Sequence, residues 1–331
     1  MAEMWINMGP QHPMTHGLWN LRIKVDGETI VDAEPEIGYL HRGYEKIMEV
    51  REFQKNVVLT DRLCYVSSIT WSHCYCLACE AAMDLDVPER GKYLRVVSNE
   101  LQRIASHLMW LAAYGPDLGL LTALLWALRE RELFLDLLQL ITGARMNQNY
   151  PRIGGVRNDA PGDFEKYCAK VIGHFRKKLG EHEKVFEQSK LFQVRIDLRK
   201  LDPYDAYPEM DFQPAVEQEG DSYARYKVRV EEMKTSCDII LQALHKMPTG
   251  PYRVKPPRRI EGEGFRRTED SRGEALFYVI GDGDDRPYRV KIRSPVFSNI
   301  AAAPLMMRGN KVADVVAIMG SIDVCVGEMD K

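Results

Sequence analysis

Neither sign of charge dominates this 331-residue chain: 45 Lys and Arg stand against 48 Asp and Glu, a formal balance of −3. That removes both the basic field of a polyanion or nucleic-acid binder and the acidic excess of a solvating tail. No apolar run reaches bilayer length either. The longest, LGLLTALLWAL at 118–128, meets the charged run RERE at once, and a spanning helix needs about 20 residues. It predicts a buried helix. The opening MAEMWINMG has no basic stretch leading into an apolar one, so no secretory or transit signal is expected, and the expected compartment is cytoplasmic. Internal repeats and low-complexity tracts are missing too. Seven cysteines, at 64, 74, 76, 79, 168, 237 and 325, are odd in number and unevenly spread, which fits free thiols in a reducing compartment better than a disulfide framework.

What is present is a chain with 45% hydrophobic residues, enough for a large core in one domain or a few subdomains. Alternating patterns at 18–25 and 29–37 flank Asp26-Gly27 and predict a hairpin. Helical spacing follows over about 44–87, and Pro88-Glu89 opens a helix to about 113 whose Leu94, Val97, Leu101, Ile104, Leu108 and Leu111 form one face. Further helices are expected at 119–142, the most apolar and so the centre of the bundle, at 162–188 and at 221–247. Residues 248–264, rich in Pro and Gly, read as a surface connection, and EALFYVIG and PYRVKIRS flank GDGDDR as a second hairpin. The fold class is α+β, divided as 1–43 (hairpin and loop), 44–250 (helical bundle) and 251–331 (α+β).

The stretch NMGPQHPMTHG places His12 and His16 four apart, as in helical zinc sites. Pro13 argues against a helix there, pushing His12 toward extended backbone, and no acid lies between the histidines. An irregular loop entering a strand is the plainer reading. Cys74, Cys76 and Cys79 in HCYCLACE would share one helix, with positions 74 and 76 about 200° apart. They are expected to pack as small hydrophobes, not to converge on a metal. The RERE run is expected to form helix-surface or interhelical ion pairs.

GPQHPMTHG, EIGYLHRGYEKI, TDRLCY, ELQRIASHL, RERE, NYPRIGGV, DPYDAY, RPYRVKIRSP and the final GEMDK occur in one order over residues 7–331. Together they resemble the 49 kDa (D-type) subunit of respiratory complex I and its archaeal deazaflavin-linked relatives, a family akin to the large subunit of nickel–iron hydrogenases. The resemblance implies a hydrogenase-large-subunit-like fold and a peripheral, membrane-associated oxidoreductase subunit of translocase type. It implies a quinone site formed with a small iron–sulfur subunit, whose 4Fe–4S cluster delivers electrons, with two-electron reduction coupled to proton pumping. A 30 kDa-type subunit and a membrane-arm subunit are the other implied partners, on the cytoplasmic face of the membrane. No tightly bound cofactor or metal of its own is expected.

On the same resemblance, His16 and Tyr65 are the headgroup ligands and Asp117 the acid pairing with the histidine, while Arg62 and His107 lie near the partner's cluster. An imidazole with a reference pKa of about 6.5 gives a proton readily, and a phenol near about 10 donates a hydrogen bond to charge developing on the quinone oxygen. The two C-x-x-C thiolate pairs that hold metal in hydrogenases correspond here to Cys64 with Ser67 and Cys325 with Glu328. Half the soft ligands are gone. Tyr65, where the hydrogenase motif has glycine, is expected to fill the emptied metal pocket. Met14 replaces a serine frequent in the first loop, and several dozen family residues are missing between Lys190 and Leu191. A methanophenazine-reducing relative and a hydrogenase-like metalloenzyme are the alternatives; the electron donor, whether NADH, ferredoxin or a reduced deazaflavin, is left open.

Overall fold

The computed structural model describes residues 3–12, 17–183, 197–217 and 220–331. His16, Met14 and the Lys190–Leu191 junction lie outside them.

Strand β1 (Met4–Met8) pairs antiparallel with β2 (Asn20–Asp26), which pairs with β3 (Thr29–Glu36) through the expected turn. Short helices α1 (Tyr44–Glu49) and α2 (Val57–Thr60) lead to α3 (Ser68–Ala82), α4 (Glu89–Asp117) and α5 (Leu121–Thr142). After the two-residue strands β4 (Pro151–Arg152) and β5 (Gly155–Val156) come α6 (Phe164–Glu183), α7 (Leu198–Leu201) and α8 (Ser222–Lys246). The second sheet holds β6 (Ile260–Asp270), β7 (Gly273–Asp284) and β8 (Arg289–Arg293) in order. Helices α9 (Pro295–Ile300), α10 (Ala303–Met307), α11 (Val315–Ile322) and α12 (Val326–Met329) close the described chain.

Two apolar cores share one wall. The faces of α4, α5, α6 and α8 form the first, and both sheets with the C-terminal helices form the second. Helix α3 serves both: Ile69 and Leu77 face the bundle, whereas Trp71, Cys74, Tyr75, Ala78 and Cys79 face the sheets. A helix enclosed on every side must be apolar or have its polar groups satisfied: α3 buries Ser68, Ser72, His73 and Glu80 with hydrogen-bond partners. Its backbone rides directly on β6. A Cβ at Gly264 would collide with the carbonyl oxygen of Ala78, and one at Gly262 would stand 2.5 Å from that of Ala82.

The predicted centre of the bundle is therefore misplaced. Helix α5 has the more continuous apolar sequence, yet Leu121 and Leu125 are 64% and 61% exposed, while α3 and α4 lie inside. The 248–264 connection also ends early, because IEGEGFRRTED forms β6, paired with β7 along its whole length. Its glycines and charges look like a loop in isolation; close contact with α3 and pairing with β7 make it a strand.

Helix α4 carries a buried polar ladder. Glu100 accepts from Arg199 Nη1 at 2.9 Å, Ser236 Oγ at 2.6 Å and the Tyr207 hydroxyl at 2.6 Å. Burial alone would raise its carboxyl, but Arg103 and Arg199 outweigh it and hold the group at about 2. Arg95 clasps Glu80 at 2.5 and 3.0 Å and donates to the carbonyls of Arg152 and Gly155. His73 bridges Asp205 at 2.7 Å and Asn99 at 2.5 Å. The ELQRIASHL, NYPRIGGV and DPYDAY stretches thus meet in one network.

Candidate functional site

Three stretches distant in sequence converge beside the β6–β7 turn. The segment between α2 and α3 brings Cys64, Tyr65 and Ser67; the turn brings Asp270, Ser271 and Arg272; the C-terminal residues bring Asp323, Cys325 and Glu328. The two sulfurs and a Glu328 carboxylate oxygen lie within 4.8 Å of one another, all buried. Trp71 Nε1 donates to one Glu328 oxygen at 3.2 Å and Ser294 Oγ to the other at 3.3 Å. Ser67 Oγ donates to the Asp270 carboxylate.

Arg272 occupies the middle. Its Nη1 donates to the Cys64 sulfur at 3.3 Å, its Nη2 to Asp323 Oδ1 at 3.1 Å and its Nε to the Asp323 carbonyl at 3.0 Å. One guanidinium therefore faces two thiols and three carboxylates. Burial pushes the Glu328 carboxyl well up, and the charges of Asp270 and Cys325 push it further, favouring its protonated form. Burial raises Cys64 as well, while the Cys64 S–H donates to Cys325 and brings that thiol down to about 7. Arg272 touches the other sulfur, Cys64, so the pair's negative charge is shared along the Arg272–Cys64–Cys325 line rather than confined to one atom.

This donor set does not fit a nickel–iron centre. It offers two sulfurs where four are required, the third position is a carboxyl rather than a thiol, and a guanidinium stands where a cation would approach Cys64. The expected plug is also different: Tyr65 is 54% exposed, and Arg272 fills the pocket. Burial raises the Tyr65 phenol above its ordinary value, and the neighbouring Cys325 and Cys64 add to that, so it keeps its proton. Arg131 of α5, itself nearly buried, lies within electrostatic reach of that phenol.

Asp117, at the end of α4, faces Gly320 of α11, where an added Cβ would stand 3.2 Å from its Oδ2. Trp110 fixes the same strip by donating from Nε1 to the Gly320 carbonyl at 2.8 Å. The loop carrying His16 re-enters the described residues at Gly17, which packs so tightly on Val326 that a Cβ would collide with it. That loop end, Tyr65 and Cys325 thus share a neighbourhood. Arg62, earlier in the same segment between α2 and α3, is exposed. His107 is elsewhere: fully enclosed in the bundle, its Nε2 is 2.9 Å from Glu232, and burial lowers its pKa against that partner's pull, so the ring is neutral at pH 7.

Cys74, Cys76 and Cys79 are free and fully buried along α3, packed against the second core. Cys74 rests on the carbonyls of Arg266 and Ala275, and burial drives its thiol up to about 12. RERE forms interhelical pairs as expected, through Glu130 to His174 at 3.3 Å, but its two middle residues are buried rather than superficial. Arg272 escaped the sequence reading because TEDSRG looks like an ordinary polar turn. The final GEMDK is tied down by the 36–47 motif: Leu40 N donates to the Asp330 carboxylate at 2.9 Å and Arg42 Nη2 to the Gly327 carbonyl at 2.8 Å.

A two-core helical fold with a thiol pocket in its second core has counterparts among known proteins. The family described as "Respiratory-chain NADH dehydrogenase, 49 Kd subunit" matches residues 117–196, 193–261 and 257–331. Among curated relatives, the D-type subunit of F(420)H(2) dehydrogenase from Methanosarcina mazei is 38% identical, covering 99% of this chain and 98% of that one. The D-type subunit of NADH-quinone oxidoreductase from Geobacillus thermodenitrificans is 41% identical over the same shares. A solved chain of the membrane-bound sulfane sulfur reductase, an archaeal respiratory membrane complex, superposes with a TM-score of 0.93 at 32% identity, covering 100% of this chain and 98% of its own. These are subunits of respiratory membrane oxidoreductases. The chain belongs to the 49 kDa subunit family of the respiratory-chain NADH dehydrogenase.

Proposed function

We propose that the chain forms, with a small iron–sulfur subunit, the site at which a complex I-type membrane enzyme reduces a quinone, and that this reduction drives proton translocation. The observation that carries the reading is Tyr65: a protonated, half-exposed phenol at the mouth of a pocket whose residues no longer suit a metal. Two-electron reduction places charge on both carbonyl oxygens of a quinone, and a donor fixed beside one of them stabilises that charge. Tyr65 supplies the hydrogen bond at one oxygen, and His16 donates at the other. Asp117 orients His16 and, once the imidazole proton is gone, is left with an unbalanced charge that starts the signal to the membrane arm.

The electrons come from a 4Fe–4S cluster in the small subunit, and Arg62, exposed in the segment between α2 and α3, faces that partner and raises the cluster's potential. Leu118, Leu121 and Leu125 form an exposed apolar strip at the α4–α5 corner, a surface that suits burial under the neighbouring subunits. A 30 kDa-type subunit and a membrane-arm subunit complete the surroundings. Among the described residues no helix is long and apolar enough to cross a membrane, so attachment to the cytoplasmic face runs through those partners.

Photolabelling the assembled complex with an azido-quinone tests this. Adducts should concentrate in the peptides containing residues 60–66 and 12–17 and disappear when excess quinone competes. Competed labelling confined to another subunit or to the far end of α6 would remove the reading.

A further inference from the structure

We propose that Cys64 and Cys325 form a redox-active dithiol that low-molecular-weight disulfides convert reversibly into an intramolecular disulfide. The proposal goes beyond quinone reduction and does not depend on it. The two thiols come from opposite ends of the chain, yet their sulfurs lie within 4.8 Å of each other. Neither sits inside a long helix. Cys64 occupies the turn between α2 and α3, and Cys325 immediately precedes α12, so small backbone adjustments can close the remaining gap to a sulfur–sulfur bond of about 2.05 Å.

Their surroundings differ from those of the other cysteines. Cys74, Cys76 and Cys79 are locked within α3, whereas Cys64 receives a hydrogen bond from a guanidinium that Asp323 anchors through two contacts. A fixed cation beside a thiol pair favours the thiolate that attacks a disulfide. Access is graded as well: Cys64 is fully enclosed, Cys325 keeps 7% of its surface exposed, and Tyr65 beside them is half open. Cys325 is therefore the attacking thiol and Cys64 the resolving one.

The Cys325 thiolate attacks one sulfur of RSSR, the S–S bond breaks, and RS⁻ leaves, taking up a proton as RSH. The Cys64 thiolate then attacks the Cys325 sulfur of the mixed disulfide, and the second RS⁻ leaves in the same way. Two electrons pass from the protein dithiol to RSSR, and the two thiol protons end on two RSH molecules.

The test uses the assembled complex equilibrated with oxidised and reduced glutathione, quenched in acid, alkylated and mapped by mass spectrometry. A linked pair of peptides carrying Cys64 and Cys325, two hydrogens lighter than the reduced pair, should accumulate with oxidised glutathione and vanish with dithiothreitol. Native Cys325 should be alkylated at least about tenfold faster than Cys74, Cys76 or Cys79. Cys64→Ser should convert the product into a stable glutathione adduct at Cys325; if that variant fails to assemble, the peptide map of the unaltered protein decides. Absence of the linked pair at every glutathione ratio overturns the proposal, as does a wild-type glutathione adduct on Cys325 that Cys64 never resolves. One equivalent of zinc blocking both thiols would overturn it too, by making the pair a metal site.

Discussion

Inside the helical bundle, one buried carboxylate, Glu100, is met by a guanidinium, two hydroxyls and a second nearby arginine, and its charge is held down to pH of about 2. At the thiol pocket the ratio is reversed: one guanidinium serves two thiols and three carboxyl groups, and the Glu328 carboxyl is pushed well up for lack of a partner charge of its own. Both carboxyls, Glu100 and Glu328, are fully buried. The difference shows that burial by itself does not decide what an ionisable group does; the count of opposite charges beside it does. The bundle network is matched to hold helices in register. The pocket keeps protons and a polarised thiol in reserve, which structural pairing alone does not require.

The most severe way to break this comparison is to remove a cation from the bundle. Arg199→Met strands Glu100 and Asp197 and should cost about 3–5 kcal/mol in unfolding experiments on the complex. Glu328→Gln, which mimics the favoured neutral form, should stay within about 1 kcal/mol of wild type. Equal losses would erase the distinction.

Acid titration sharpens it. The Glu100 carboxyl is depressed in the folded chain from 4.5 to about 2, so its stabilisation is present above the unfolded value and disappears as pH falls through about 2. The linked loss is about 3 kcal/mol. Asp61 runs the other way: burial raises it to about 7 against the pull of Arg152, so its contribution is whole below the unfolded value near 3.8 and lost as pH rises through about 7. Asp61→Asn should flatten the decline in unfolding midpoint between about pH 4 and 7; an unchanged slope would show that Asp61 is ionised throughout.

Gly264→Ala tests the wall between the regions. The new methyl would collide with the Ala78 backbone, and about 1–3 kcal/mol of destabilisation is expected in thermal melts. Leu121→Ser should have the smallest effect on the folded chain, about 0.5 kcal/mol or less at this exposed position, while weakening co-purification of partner subunits. Loss of folding instead would mean that the strip belongs to the chain's own core.

Helices α4, α5, α6 and α8 were legible because a 3.6-residue apolar period survives without tertiary information. Their depth was not, since α5 is more apolar than its burial warrants and α3, with its cysteines, histidine and serines, is enclosed because two cores use it. Strand β6 was illegible for a related reason: its glycines make room for the α3 backbone, a demand visible only once α3 is in place. Within the candidate site, the Cys64–Ser67 and Cys325–Glu328 correspondences came through family resemblance, and the structure brings Cys64, Cys325 and Glu328 together. Arg272 and the upward shift of the Glu328 carboxyl depend on three-way contacts among residues far apart in the chain, and no local pattern encodes those.

The most direct test of the contrast between the two regions is Tyr65→Phe in the assembled complex, with quinone-reduction rate and unfolding midpoint measured on one preparation. A site residue that contributes a donor rather than packing should lose at least about tenfold in quinone turnover with an unchanged midpoint and normal reduction of the partner's cluster. A lowered midpoint with unaltered turnover per folded complex would make Tyr65 another structural group and contradict the account.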